Sequence, residues 1–388
     1  MTTTASARPA TARYHVDTVA DIADIDPAEW DAIIDPDDLQ ATHRFVSICQ
    51  RSGVEQATYR HVMVRSAGRL VAVASFSRMD VRLELLADKR LRAVIQRVRR
   101  ASPGIMVVPV AFCGLPVSFG QSCLRIAPGA DLPAVLGVIR RELEAFGAET
   151  DAVIYCFKEH GPAERAIAAP LRDGGYFRAA SLPACRLAIR WRSFDEYLDA
   201  LRAGYRRQAR ATLRAREVHG LRFRTVEEFG EHCPQIFALY EQVMMRAAVQ
   251  LERLNLRFFV ELNREMGPQS VAILVERHGE TVAAAVLLFA PRLATFLLAG
   301  IDYRHNRVCH AYPNLVTEVV AEAIRRGATA LEMGQTSYAL KLRFGASTTE
   351  RAIYLKCRNR FMHTFLEAAR PALFPEVGPP ARRVFRTP

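Results

Sequence analysis

Residues 61–76, HVMVRSAGRLVAVASF, and residues 272–287, AILVERHGETVAAAVL, can be written one above the other without a gap, and Gly68 then falls on Gly279. Each stretch alternates apolar residues, turns at its glycine and alternates again, which is the pattern of a β-hairpin. A second pair lies upstream. TVADIADIDPAEWDAI (18–33) sits over TVEEFGEHCPQIFALY (225–240), matching Thr18 to Thr225, Ile22 to Phe229, Pro27 to Pro234 and Trp30 to Phe237. A third element follows each hairpin. Segments 132–146 and 313–326 have helical periodicity and stop at Gly147 and Gly327, glycine being a common helix stop. Each leads into a short apolar strand, Ala152–Phe157 and Thr329–Met333. The order helix, hairpin, strand, helix, strand therefore occurs twice. It predicts an α/β (α+β) chain of two tandem domains, each a mixed sheet flanked by helices.

The expected division is an N-terminal domain over 1–190, a basic linking helix over 191–219, a C-terminal domain over 220–370 and a proline-rich tail over 371–388. The copies differ by an insert in the first, roughly 78–103, RMDVRLELLADKRLRAVIQRVRRASP. Leu91, Val94, Ile95 and Val98 fall on one helical face of it, with Arg90, Arg92, Arg97, Arg99 and Arg100 around them. The linking segment, roughly 194–218, reads as a second basic helix. Leu198, Leu201 and Tyr205 form its apolar side, and Arg206, Arg210 and Arg214 make an i, i+4 stripe. Three readings of these arginines stay open: a solvated face, a track for RNA or a phosphate-rich donor, and a patch for peripheral membrane contact.

The chain has 388 residues and a formal net charge of +12, and half of it is hydrophobic. A chain of this composition buries a sizeable core, which excludes global disorder. No apolar run reaches the ~18–20 residues of a membrane span, and the first residues, MTTTASARPATARYHVDTVA, lack the apolar core of a secretory signal. The eight cysteines are scattered and contain no C-x-x-C pair, against a disulfide framework or a zinc knuckle. The expectation is a soluble, cytoplasmic protein with an anionic partner.

Near the C-terminus Ala311-Tyr312-Pro313-Asn314-Leu315 opens a helix that Gly327 ends. Then comes Glu332-Met333-Gly334-Gln335-Thr336-Ser337-Tyr338-Ala339-Leu340-Lys341-Leu342-Arg343-Phe344-Gly345. This resembles the signature of the Fem-like branch of the GNAT acyltransferases, a Tyr-Pro helix start followed by G-x-x-S-Y-x-x-K-x-x-F-G. Arg210-Ala211-Thr212-Leu213 before Gly220-Leu221 is similar to the segment that joins the two domains in Fem ligases. The resemblance covers residues 190–350, and the first copy by architecture. It implies two tandem GNAT-like domains and an N-acyltransferase that moves an acyl group to an amine acceptor (a glycan, peptide or metabolite). The implied donor is acyl-CoA or, as in the Fem ligases, aminoacyl-tRNA. It also places Lys341 at the transfer centre. The loop Tyr303-Arg304-His305-Asn306-Arg307-Val308-Cys309-His310 departs from the glycine-rich loop of acetyl-CoA enzymes, and side chains there obstruct a pyrophosphate.

The residues support roles of their own. Proline is favoured in the first helical turn, and free N–H groups at a helix start attract an anion, so Tyr312 and Asn314 are candidates for donor binding. Gly334 and Ser337 of the following loop, and Arg206 and Arg210 of the basic helix, complete that set. Lys341 is the expected oxyanion partner, since acyl transfer passes through a developing negative oxygen. Tyr338 is a candidate acid for the leaving group. Glu332 and Asp302 are possible bases. The purely structural alternatives are a surface lysine, a half-buried tyrosine and strand-end charges. No metal is expected, because His305, Cys309 and His310 fit no zinc spacing. With no G-x-S-x-G elbow, direct attack of the amine on a bound donor is the simplest route. A catalytically silent GNAT-like binding protein is the alternative from another class.

Overall fold

The computed structural model describes residues 14–82, 107–247 and 253–386. Their strands are β1 (Tyr14–Val19), β2 (Thr58–Ser66), β3 (Arg69–Arg82), β4 (Val107–Cys113), β5 (Leu124–Ile126), β6 (Ile154–His160) and β7 (Phe177–Ala188), then β8 (Arg222–Val226), β9 (Ser270–Arg277), β10 (Glu280–Phe289), β11 (Leu293–Ile301), β12 (Ala330–Gly334) and β13 (Ser347–Cys357). All lie in one sheet. Its order is β1-β2-β3-β4-β6-β13-β7-β12-β11-β10-β9-β8, with β5 against β3.

The repeat is visible in the turns. β2 and β3 are joined by Ala67-Gly68 between the paired residues Ser66 and Arg69, and β9 and β10 by His278-Gly279 between Arg277 and Glu280. Both central residues have positive φ in each turn: 49° and 78° in the first, 52° and 83° in the second. That is the geometry of a two-residue turn matching the twist of its strands, and it demands glycine at the second position. The upstream matches hold as well. Ile22 and Phe229 are both buried. Pro27 is the first residue of helix Pro27–Asp31 and Pro234 the second of helix Cys233–Arg246.

The two copies are tied together by their last strands. β13, the final strand of the second copy, lies between β6 and β7 of the first and pairs antiparallel with both. β7 in turn pairs antiparallel with β12 of the second copy. Each copy thus lends the other an edge. On one face a single core runs across both halves, from Ile22, Trp30 and Phe45 to Phe229, Phe258 and Phe259. Helices His43–Ser52 and Leu256–Met266 meet there, with Phe45 and Phe258 edge to face at 6.4 Å and Arg51 3.0 Å from the buried Glu261. Helices Leu132–Glu149 and Ala311–Arg325 cover the other face, each over its own copy.

Three expectations change. Residues 78–82 of the expected basic insert belong to β3, because they continue its ladder with β4 from Arg78↔Ala111 to Arg82↔Val107; the remainder of the insert lies outside the described residues. The linking helix is two helices, Phe194–Ala200 and Ala203–Val218, broken at Leu201. The break has a cause. The Arg202 amide donates to Val384 O and the Arg386 amide to Ala200 O, so the chain's end pins the junction. Phe385 packs on Trp191 at 4.7 Å between ring centres and Val384 is 2% exposed, so the tail carries a docked segment. Among the described residues no helix is long and apolar enough to cross a membrane.

Trp30 sits in the first copy and Trp191 beside Tyr197 and Phe385 near the second. Because β13 and β7 are shared, single-tryptophan variants Trp30→Phe and Trp191→Phe are expected to unfold in urea at one common midpoint. Two separated fluorescence transitions would show instead that the copies fold independently.

Candidate functional site

β11 and β12 run parallel but pair only over Leu293–Thr295 with Ala330–Glu332. Beyond that point they diverge, and a cavity of about 340 Å³ opens between them, lined by Phe296–Ala299 on one side and Met333–Ser337 with Lys341 on the other. β11 carries a bulge here, since Val286 pairs with Leu298 but Leu287 with Phe296, leaving Leu297 as the extra residue. Bulges re-aim the backbone and recur beside active sites. Among the described residues no strand pairs with the β12-facing edge of β11 past Thr295. Backbone N–H and C=O groups of that edge therefore border the cavity.

The loop after β12 is bent tightly. Gly334, Thr336 and Ser337 have φ of 66°, 65° and 50°, and two adjacent non-glycine residues in the left-handed region mark stored strain. The turn brings Lys341, in the short helix Tyr338–Lys341, back into the cavity. Its Nζ donates to Gln335 O at 2.7 Å and the residue is 4% exposed. Burial lowers its pKa to about 8, as expected for an ammonium held away from water with no carboxylate beside it. Gly334 and Ser337 line the same cavity. Tyr338 takes a different place. Its hydroxyl donates to Pro183 O at 2.9 Å, which ties the loop to β7, and burial pushes its pKa up to about 12. Tyr338 is not among the residues lining this cavity.

The helix start does not offer the anion site expected of it. Helix Ala311–Arg325 begins one residue before Tyr312, so Pro313 is its third residue. The Tyr312 amide donates to Asn306 Oδ1 at 2.9 Å and the Asn314 amide to His310 O at 3.0 Å, while the Ala311 amide faces the Cys309 thiol. Proline has no amide, so the first turn has its donors engaged. Asn314 is buried, its Nδ2 bonded to Cys309 O and His310 O. The Tyr312 side chain does line the cavity; burial raises its pKa against a hydrogen bond with Ser337. Arg206 and Arg210 lie elsewhere, on helix Ala203–Val218. Arg206 lies 3.7 Å from Asp199, and Arg210 is exposed. Asp302 caps helix Tyr303–Cys309 and is paired with Arg304 at 2.6 Å, which holds its carboxyl below the ordinary range.

The first copy closes the corresponding wedge. β4 and β6 stay paired through Cys113↔Phe157. Lys158 Nζ then donates to Leu115 O at 2.8 Å across the gap, and a Cβ on Gly114 would lie 2.7 Å from Lys158 Cγ. Between the copies lies a larger polar cleft of about 830 Å³, bordered by Glu159, Glu164, Arg125 and Arg186 from the first copy and Glu332 and Arg351 from the second. Glu332 accepts from Arg186 at 3.0 Å, and burial raises its pKa. Glu159 is buried at φ 64°, with its pKa likewise raised by burial. Gln335 links cleft and wedge: its Nε2 donates to Glu159 Oε2 at 2.9 Å and to Leu182 O at 2.6 Å. Glu159 was absent from the expected site. Its signal was the charged run Lys158-Glu159-His160, directly after the strand that the repeat aligns with the one before Gly334.

The curated relatives include proteins of Mycobacterium tuberculosis (strains CDC 1551 / Oshkosh and ATCC 25618 / H37Rv) carrying the name 8-amino-7-oxononanoate synthase 2. They are 26% identical over 273 residues, 69% of this chain, but the chain spans only 35% of their length. Among solved structures, the crystal structure of FemX is similar at 13% identity and a TM-score of 0.59, covering 90% of this chain and all of that one. A tandem GNAT protein from the clavulanic acid biosynthesis pathway is similar at 12% identity and a TM-score of 0.52, covering 89% of this chain and 99% of that one. These likenesses show the fold, a tandem GNAT-like α/β architecture. Residues 21–294 match the FemAB-like family model, described as peptidoglycan biosynthesis/recognition. The match takes in most of the first copy, which the motifs alone reached only through its architecture, and the chain belongs to the FemAB-like family.

Proposed function

We propose that this protein is an N-acyltransferase whose donor occupies the wedge between β11 and β12 and whose amine acceptor enters from the polar cleft between the copies. The observation that carries this reading is the open wedge itself, where an unpaired strand edge, a bulge and the buried ammonium of Lys341 border one cavity. The free edge suits an extended, amide-bearing donor arm, which would add to it as a short strand does. This favours acyl-CoA as donor. Its pyrophosphate would have to bind away from the start of helix Ala311–Arg325, where the amides are engaged.

In the proposed step the acceptor nitrogen attacks the acyl carbon and an oxyanion forms. The carbon–sulfur bond then breaks, and the thiolate leaves as the amide forms. Lys341 and the amides at the bulge stabilise the oxyanion. The ammonium proton is taken by a carboxylate in the cleft. Glu159 and Glu332 suit that task, because burial has raised both towards neutral pH. Tyr338 acts by holding the loop rather than by donating a proton to the leaving group.

A second reading, transfer from aminoacyl-tRNA, is favoured by the exposed face of helix Ala203–Val218, where Arg207, Arg210 and Arg214 stand out to solvent. Mass spectrometry of purified protein incubated with acyl-CoA and an amine panel, or with charged tRNA, separates the two. Binding of either donor with no transfer to any amine would leave a silent binding protein.

Lys341→Ala is expected to fold and to lose ~10²–10³ in kcat, the cost of one preorganised oxyanion donor. Single-turnover transfer beside a melting curve measures it. Transfer by the wild type is expected to fall as pH rises through about 8, where Lys341 loses its proton. That alkaline limb should be missing from Lys341→Ala.

Burial lowers this lysine's pKa, so between about 8 and its unfolded value the unfolded chain binds more protons and stability rises with pH. Lys341→Met should flatten that rise in melting temperature. Tyr338→Phe is expected to cost about 1 kcal/mol of stability, the net worth of one hydrogen bond. Its transfer rate should stay within a few-fold of wild type at temperatures where it is folded.

A further inference from the structure

The end of β6 sends successive side chains into two compartments. Glu159 borders the polar cleft, and His160 borders a neighbouring cavity of about 300 Å³. Gly161 makes room between them, since a Cβ there would lie 2.9 Å from Arg351 Nη1, and Arg351 lines both spaces. His160 is 3% exposed; its Nδ1 lies 3.3 Å from a Glu164 carboxylate oxygen, and its Nε2 has no hydrogen-bond partner. Leaving a buried polar group unpaired is costly, and such groups in native proteins mark a role beyond packing. The imidazole is held in place by ring contacts with Phe157 and Tyr354, 6.4 and 6.1 Å between centres.

The charges around it are mostly positive. Arg165, Arg178 and Arg351 line the cavity, against one acid, Glu350. Glu350 is 74% exposed at its side chain and 4.0 Å from Arg165, so water screens it. Glu164 approaches His160 Nδ1 at 3.3 Å from the cleft side. Hydrogen bonds from Ser122 and the Gly161 amide fix that carboxylate, and its pKa is lowered to about 2 with His160 the largest favourable partner. That carboxylate engages the Nδ1 side of the ring and leaves Nε2 without a protein partner. Three arginines and an imidazole lining one small space suit the recognition of anionic oxygens.

We propose that this compartment binds a phosphate or carboxylate group, and that the amine acceptor of the proposed transfer carries that group. The anion would sit against His160 and Arg178 while the amine lies in the adjoining cleft beside Glu159. The assignment to the acceptor rests on the proposed transfer; the anion site rests on its own residues.

The test uses the full chain with ¹⁵N-labelled histidine, titrated at fixed ionic strength with inorganic phosphate and, separately, with succinate. A saturable shift of the His160 imidazole resonances is expected, with their assignment taken from His160→Gln. Arg165→Gln and Arg178→Gln, both at exposed positions, should each weaken binding about tenfold, a typical charge-assisted contact. A response to phosphate alone names a phosphorylated acceptor, and a response to succinate alone a carboxylate-bearing one. No saturable shift with either probe, or a shift that both arginine variants leave unchanged, overturns the site. Donor binding in the wedge, followed in the same arginine variants, should be unchanged. Loss of the anion site with transfer intact, or the reverse, therefore shows which proposal has failed.

Discussion

The placement of β13 between β6 and β7 is the constraint on which the rest of this molecule depends. An edge strand leaves a row of backbone groups unpaired, and a sheet must pair, cover or charge it. Here each copy resolves the problem with a strand of the other. The exchange joins two half-sheets into one and fixes their relative position. It also brings the loop after β12 beside β7, where Tyr338 reaches Pro183 and Gln335 reaches Leu182 and Glu159. The site loop is thus anchored by hydrogen bonds that cross the copies, and its strained backbone needs that anchoring to persist.

The same duplication shows how two similar halves acquire different roles. Both contain a pair of parallel strands that can part at their ends. In the first copy a lysine stem and Leu115 fill the gap, and the pair stays closed. In the second the strands part after three residues, and the lysine arrives from a later turn. The first copy keeps its polar residues for the cleft and its neighbouring cavity, through Glu159 and His160. One half has an open wedge, and the other a wall of charged groups.

Electrostatics follow from that division. Lys341 has no carboxylate beside it, so burial outweighs the opposing effect of Cys185 and its pKa falls. Glu159 and Glu332 are buried with partial compensation, from Lys158, Ser181, Arg351 and Gln335 for the first and from Arg186 and Arg351 for the second. Lys341 in the wedge is thereby kept apart from Glu159 and Glu332 in the cleft, and the neutral amide of Gln335 lies between the two spaces. A direct ion pair between Lys341 and either glutamate would favour the charged form of both.

Much of this was legible in the residues. The repeat predicted the strands because hairpin glycines and alternating apolar positions are local properties. The Gly334–Gly345 motif located the loop, and Lys341, Gly334, Ser337 and Tyr312 do gather at one cavity. What was not legible depended on partners distant in sequence. Nothing local places Pro183 against the Tyr338 hydroxyl, or Asn306 on the amide at the start of helix Ala311–Arg325. The linking helix read as continuous because nothing local announces that Val384 will take the amide of Arg202. Glu159 and His160 were passed over because their burial, strain and opposite destinations exist only once β13 and β7 have closed around them. The sequence by itself determined the two hairpins, the helices and the duplicated order, since these follow from local periodicity and turn chemistry. The strand exchange, the open and the closed wedge, and the division of charge between compartments were decided by tertiary structure, because each arises from contacts between residues that only the folded sheet brings together.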